Sequence, residues 1–180
     1  PGTEFQIGKI EMVANTGTYL DSPFHRYADG KDLSELTLES LANLDCVVIR
    51  ATDRTQRAIN GPASLSDAKG AAVLFHTGWD VHWRTDQYFE GHPYLTAELA
   101  QALVAARVAL VGIDSFNIDC TDNGERPVHS ILLRAGIPIV EHLCGLAAIP
   151  DRGARFYAVP VKVKGMGTFP IRAFARLTST

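Results

Sequence analysis

The segment "NTGTYLDSPFH", residues 15–25, sets glycine, threonine, aspartate, proline and histidine side by side. Proline restricts the residue before it, Ser22, to extended geometry. In an extended backbone alternate side chains share a direction, so Asp21, Pro23 and His25 are expected on one side. A carboxylate and an imidazole would then converge on one ion or substrate, and Gly17 would let the backbone turn or a ligand approach. The spacing alone leaves a second reading open, in which Asp21 caps a turn and His25 is an ordinary surface histidine.

The rest of the chain places this segment in a mixed α/β domain. "FQIGKIEMVA" alternates as a strand does, with Gly8 as a bulge where the phase slips. "DCVVIRA", "AAVLFHTG" and "VALVGI" are apolar runs bounded by turn formers, which predicts buried strands. Thr96 is a candidate N-cap for a helix over "AELAQALVAAR", with Leu99 and Leu103 on one face. Pro127 opens and Gly136 closes a second helix carrying His129, and the strand "IPIV" leads to Glu141. At the tail, "RFYAVPVKV" and "PIRAFARL" alternate on either side of "KGMGTF", which predicts a hairpin.

Bulk properties narrow the function classes. The 180 residues suit one domain over 1–180 that buries roughly 70% of its unfolded surface. A net charge of −3 provides no basic footprint for nucleic acid, and no apolar run suits a membrane span. Three widely spaced cysteines favour a reducing, cytoplasmic compartment over a disulfide framework. No Gly-x-Ser-x-Gly elbow supports a serine hydrolase.

The opening segment resembles the signature His-x-Gly-Thr-His-x-Asp-x-Pro-x-His of the cyclase family of metal-dependent hydrolases, which includes kynurenine formamidase (arylformamidase) and isatin hydrolase. "HTGWDVHW", "LVGIDSFNID", "HSILLRAGIPIVEHLCGL" and "FYAVPVKVKGMGTFPIRAFA" resemble later blocks of that family, in order. The resemblance implies a swivelling β/β/α fold, homo-oligomers (dimer or tetramer), and hydrolysis of the amide in a small N-formyl-aryl amine or cyclic amide, as in tryptophan catabolism. It makes Asp21, His129 and Glu141 metal ligands and His25 the proton donor and acceptor. A leading segment usual in the family is expected to be missing ahead of Pro1.

Where the family signature has its first two histidines, this chain has Asn15 and Tyr19. Amide and phenol oxygens are poor substitutes for imidazole, so the first metal position as usually built is lost. One imidazole and two carboxylates remain, a set suited to one zinc or manganese ion rather than two. Tyr19 could donate to the oxyanion of an attacked amide. Trp79, Trp83, Phe89 and His92 are candidates for a substrate-binding wall, and the alternative for each of the aromatics is simple core or interface packing. His76 could edge the pocket or be a buried structural histidine, and His142, next to Glu141, is expected to point the opposite way if the strand continues. The runner-up function is a family member that has lost its metal centre and binds a small aromatic ligand without catalysis.

Overall fold

The computed structural model describes residues 4–53, 55–61 and 65–177. In chain order the elements are β1 (Tyr19–Asp21), β2 (Leu44–Arg50), β3 (Ala58–Ile59), β4 (Ala72–His76), β5 (Tyr94–Leu95), α1 (Ala97–Ala105), β6 (Leu110–Ile113), α2 (Pro127–Arg134), β7 (Ile139–Glu141), β8 (Ala154–Tyr157), β9 (Thr168–Pro170) and β10 (Phe174–Leu177). Eight strands form one sheet in the order β10-β8-β2-β4-β6-β7-β1-β9, while β3 and β5 pair apart from it. The central strands β2, β4, β6 and β7 run parallel. Antiparallel strands flank them on both sides.

Continuous apolar runs form the centre because both faces of those strands are covered. Val73, Phe75, Val111, Ile113 and Ile139 face α1 and α2, packing against Leu99, Leu103, Val128 and Leu132. The alternate residues Ala72, Leu74, Leu110 and Val140 face the other way, onto Leu20, Leu33, Leu41 and Phe156. The Thr96 side chain accepts from Leu99 N at 3.3 Å, so α1 starts where its cap dictates. Pro127 occupies the first turn of α2, and Gly136 follows its end with φ +79°.

The connection between β9 and β10 bends the whole sheet. These strands are its two edges, yet only residues 171–173 separate them. Four Cα steps reach at most about 14 Å. The edges of a flat eight-stranded sheet would lie roughly 34 Å apart at the usual strand spacing. The sheet must therefore curl until its edges approach. Phe169, Ile171, Ala173 and Ala175 accordingly pack against the core enclosed by the curl.

Three expectations need correction. Residues 6–13 form no strand; the chain there is irregular, with Ile7 76%, Ile10 82% and Val13 74% exposed. Both sides of the following strand, β1, are already taken by β7 and β9, which leaves the alternating segment no ladder to join there. The tail is more than a hairpin. β8 and β10 do pair antiparallel, but residues 168–170 cross to β1 at the far edge. Finally, extended geometry stops at Ser22, and Pro23–His25 form a 3-10 turn. His25 therefore reaches the site by a turn and not by strand alternation.

That turn depends on close contact with the β9 approach. Ser22 N donates to Gly167 O at 2.7 Å. A Cβ on Gly167 would sit 2.5 Å from His25 Cα, against backbone that cannot swing away. Gly167→Ala is expected to lower stability by about 1–3 kcal/mol in urea denaturation, the usual range for overpacking. A wild-type midpoint in the variant would show that the contact is loose.

Candidate active site

Antiparallel pairing of β1 with β7 builds the polar cluster. Tyr19 stands opposite Glu141 and Asp21 opposite Ile139, so Tyr19, Asp21 and Glu141 share the helix-bearing face of the sheet. All three are buried, at 6%, 0% and 1% exposure. His129, the third residue of α2, enters from that face at 6% exposure.

Each side chain is held from behind. Glu141 Oε2 accepts from the Tyr19 hydroxyl at 2.6 Å, and its Oε1 accepts from Ile118 N at 2.6 Å. Thr168, opposite Asp21 on β9, donates its hydroxyl to Asp21 Oδ1. With that proton committed, Thr168 Oγ1 accepts from His25 Nδ1 at 2.7 Å. Neutral His25 then keeps Nε2 as its lone-pair nitrogen.

Asp119 performs two tasks at once. It accepts from Val128 N at 2.8 Å and His129 N at 3.0 Å, satisfying free amides in the first turn of α2. It also pairs with His129 Nδ1 at 2.7 Å. This fixes the imidazole so that Nε2 faces Asp21 Oδ2 at 3.7 Å and Glu141 Oε1 at 3.8 Å. Both distances exceed hydrogen-bond reach. Asp21 Oδ2 is buried without a hydrogen-bond partner among the described residues.

Negative charge outweighs positive in the cluster, where three carboxylates face one imidazole. Burial opposes a charge on His129, yet Glu141, Asp119 and Asp21 together push its pKa up to about 10. Burial holds the Glu141 carboxyl above the usual range, a rise that the charge of His129 only partly offsets. Tyr19 is driven well above the usual phenol range, by burial first and then by the charges of Glu141 and Asp21. It therefore stays protonated and remains a donor. The ligand atoms of Asp21, His129 and Glu141 lie within 4.8 Å of one another. Ligands about 2.1 Å from a shared ion stand roughly 3.0–4.2 Å apart, so the observed 3.7 and 3.8 Å fit a divalent cation. An orphaned carboxylate oxygen, a carboxylate and a pre-set imidazole nitrogen are the donors such an ion takes.

A cavity of about 170 Å³ opens over the cluster, lined by Asn15, Tyr19, His25, Arg26, Asn117, Arg126, His129 and Glu141. The four expected wall residues lie elsewhere. Trp79 is buried with Nε1 donating to Tyr88 O at 3.0 Å. Trp83 borders a separate hollow with Tyr88, His142 and Cys144. Phe89, 57% exposed, packs edge-on against Phe116. His92 is fully buried and hydrogen-bonded to Thr121 Oγ1 at 2.9 Å. His76 meets Arg50 Nη1 at 3.1 Å. The hydroxyl that Tyr19 was expected to offer an oxyanion is given to Glu141 instead. Sequence reasoning missed Asp119, Thr168, Asn117, Arg26 and Arg126. Thr168 and Asp21 are 147 positions apart, and no local pattern couples them.

His142 follows β7 with φ +56°, and its ring packs on Tyr19 with centroids 5.1 Å apart. Its Nδ1 meets the Tyr88 hydroxyl at 2.8 Å. Burial lowers its pKa from 6.5 to about 4. The folded state thus binds fewer protons than the unfolded chain between those values. The stabilisation is complete above pH 6.5 and is lost as pH falls toward 4, by roughly 3 kcal/mol. Urea midpoints for wild type and His142→Asn, whose side chain tolerates left-handed backbone, should converge as the pH drops through this window. Parallel profiles would rule out the assignment.

The family described as "Putative cyclase" matches residues 3–120. A kynurenine formamidase of Salinibacter ruber is 29% identical over 170 residues, covering 94% of this chain and 79% of that protein. A solved structure described as a potential metal-dependent hydrolase with cyclase activity superposes with a TM-score of 0.72 at 27% identity, covering 92% of this chain and 80% of that one. Isatin hydrolase A of Labrenzia aggregata, bound to benzyl benzoate, shares the fold with a TM-score of 0.86 at 22% identity, over 98% of this chain and 78% of that one. A family match over most of the chain, on a fold shared with these structures, establishes that the chain belongs to the cyclase family.

Proposed function

We propose that the protein is a metal-dependent hydrolase of small amides, either N-formyl-aryl amines or cyclic amides, working with one zinc or manganese ion. The observation that carries this reading is Asp21 Oδ2, a buried carboxylate oxygen without a partner among the described residues, facing His129 Nε2. Asp21, His129 and Glu141 would hold the ion. When bound, it would polarise the scissile carbonyl and acidify water in the site. The names of the relatives, kynurenine formamidase and metal-dependent hydrolase, support the same chemistry.

This chain's residues supply the remainder. His25 lines the cavity at about one-third side-chain exposure, with Nε2 left without a partner among the described residues. An imidazole so placed accepts a proton from the attacking water and returns it to the departing amine nitrogen. Thr168 aligns that ring against Asp21. Tyr19 is a positioning residue, holding Glu141 by its hydroxyl. A cavity of about 170 Å³ admits roughly one aromatic ring, since a void near 150 Å³ holds benzene. The exposed Ile7, Ile10 and Val13 would suit burial in a homo-oligomer.

One observation favours a second reading, a non-catalytic binder of a small aromatic ligand. With its pKa near 10, protonated His129 can itself offset part of the cluster's negative charge. Metal content after chelator-free purification, measured beside formanilide turnover, separates the two. Hydrolysis is expected to vanish on chelation and return with zinc or manganese. His25→Gln should cut kcat by about 10²–10⁴ while leaving the bound metal in place. A metal-free protein that hydrolyses formanilide at full rate would overturn the proposal. Asp119→Asn should weaken metal binding about 10–100-fold in calorimetry, through loss of the support behind His129. An unchanged affinity would confine Asp119 to capping α2.

A further inference from the structure

The cavity wall carries two guanidinium groups, Arg26 and Arg126, that amide hydrolysis does not use. We propose that they bind a carboxylate on the substrate, so that the preferred amide is an anionic aryl amide and not a neutral anilide. The proposal rests on the reading of this cavity as a hydrolytic site.

Arg126 is already fixed. Its Nη1 donates to the carbonyls of Cys120, Asn123 and Glu125 at 3.1, 2.8 and 2.6 Å. The other guanidinium nitrogens have no protein acceptor among the described residues, and no carboxylate pairs with this arginine there. A donor edge held in place by three carbonyls loses little freedom when an anion arrives. Arg26 follows His25 directly at the end of the 3-10 turn, anchored by its amide to Pro23 O at 3.2 Å. Its side chain also lacks an acidic partner among the described residues. Arg50, Arg57, Arg134, Arg152 and Arg155 all pair with aspartates elsewhere on the surface. An unpaired surface arginine is ordinary. Two of them lining one small cavity beside a candidate catalytic histidine are a binding feature.

Charge balance points the same way. Asp21, Glu141 and Asp119 contribute three negative charges. A divalent ion and two guanidinium groups exceed them by one, which a single substrate carboxylate would cancel. Size agrees as well, because the cavity admits about one aryl ring and both arginines stand on its wall. Arginine pairs with carboxylates through two parallel N–H bonds, which adds orientation to attraction.

The test compares 2-formamidobenzoate with formanilide on zinc- or manganese-loaded protein, alongside direct fluorescence titration with 2-aminobenzoate. The titration is run on loaded and on chelator-stripped protein. Wild type should favour the anionic amide in kcat/KM by about tenfold or more. Arg26→Gln and Arg126→Gln should each reduce that preference about tenfold and weaken 2-aminobenzoate binding in both protein forms. Arg26 is exposed, so its variant keeps the test valid even if the Arg126 clasp is needed for folding. Equal turnover of the two amides, or 2-aminobenzoate binding that follows the metal and ignores both arginines, would overturn the proposal. Arginine-dependent binding without turnover of either amide would support the anion site and instead refute hydrolysis.

Discussion

Two carboxylates from adjacent antiparallel strands are shut away from water in one small volume, and that electrostatic constraint governs the rest of the structure. An uncompensated buried carboxylate is among the costliest groups a fold can contain. Here Glu141 is relieved by a phenol and a backbone amide, and one oxygen of Asp21 by a threonine hydroxyl. The other oxygen of Asp21 receives nothing from the described residues. The imidazole of His129 stands across from it, buttressed by Asp119. Among the described residues, the site is thus satisfied except at that one oxygen, across from His129.

Architecture makes this concentration possible. Parallel strands at the centre supply two covered faces, and the antiparallel insertion of β1 between β7 and β9 brings three distant stretches into register. Curling the sheet closes its apolar interior on one side, while polar groups gather on the other side beneath α2. The same pairing that opposes Leu20 to Val140 inside the curl opposes Tyr19 to Glu141. Core and site are two faces of one ladder.

Much of this was legible in the sequence, and the illegible part has a common cause. The apolar runs of β2, β4 and β6 announce buried strands, Thr96 announces α1, and Pro127 with Gly136 brackets α2. The gathering of Asp21, His129 and Glu141 followed from the family resemblance and not from spacing. Periodicity reports which way a side chain faces but not which strand will lie beside it. Residues 6–13 therefore read as a strand although β1, which follows them, already has both neighbours. Thr168 and Asp119 escaped notice for the same reason, since each acts on a partner brought near only by tertiary pairing. The aromatic wall assigned to Trp79, Trp83, Phe89 and His92 is displaced because those residues pack a neighbouring cluster around Tyr88, Phe116 and His142. Aromatic content marks a core more often than a pocket.

The long span between Asp21 and Thr168 also carries a consequence in time. During synthesis the earliest strand emerges long before the two neighbours that will flank it, because β7 and β9 lie near the other end of the chain. The parallel centre can collapse as it leaves the ribosome and offer β7 to β1, but the other side of β1 must wait for β9. Such sequence-distant pairing is slow and leaves apolar surface such as Leu20 uncovered meanwhile. A nascent chain halted before residue 168 would hold nearly all of the fold's hydrophobic mass and still lack β9, the edge strand that brings Thr168 to Asp21.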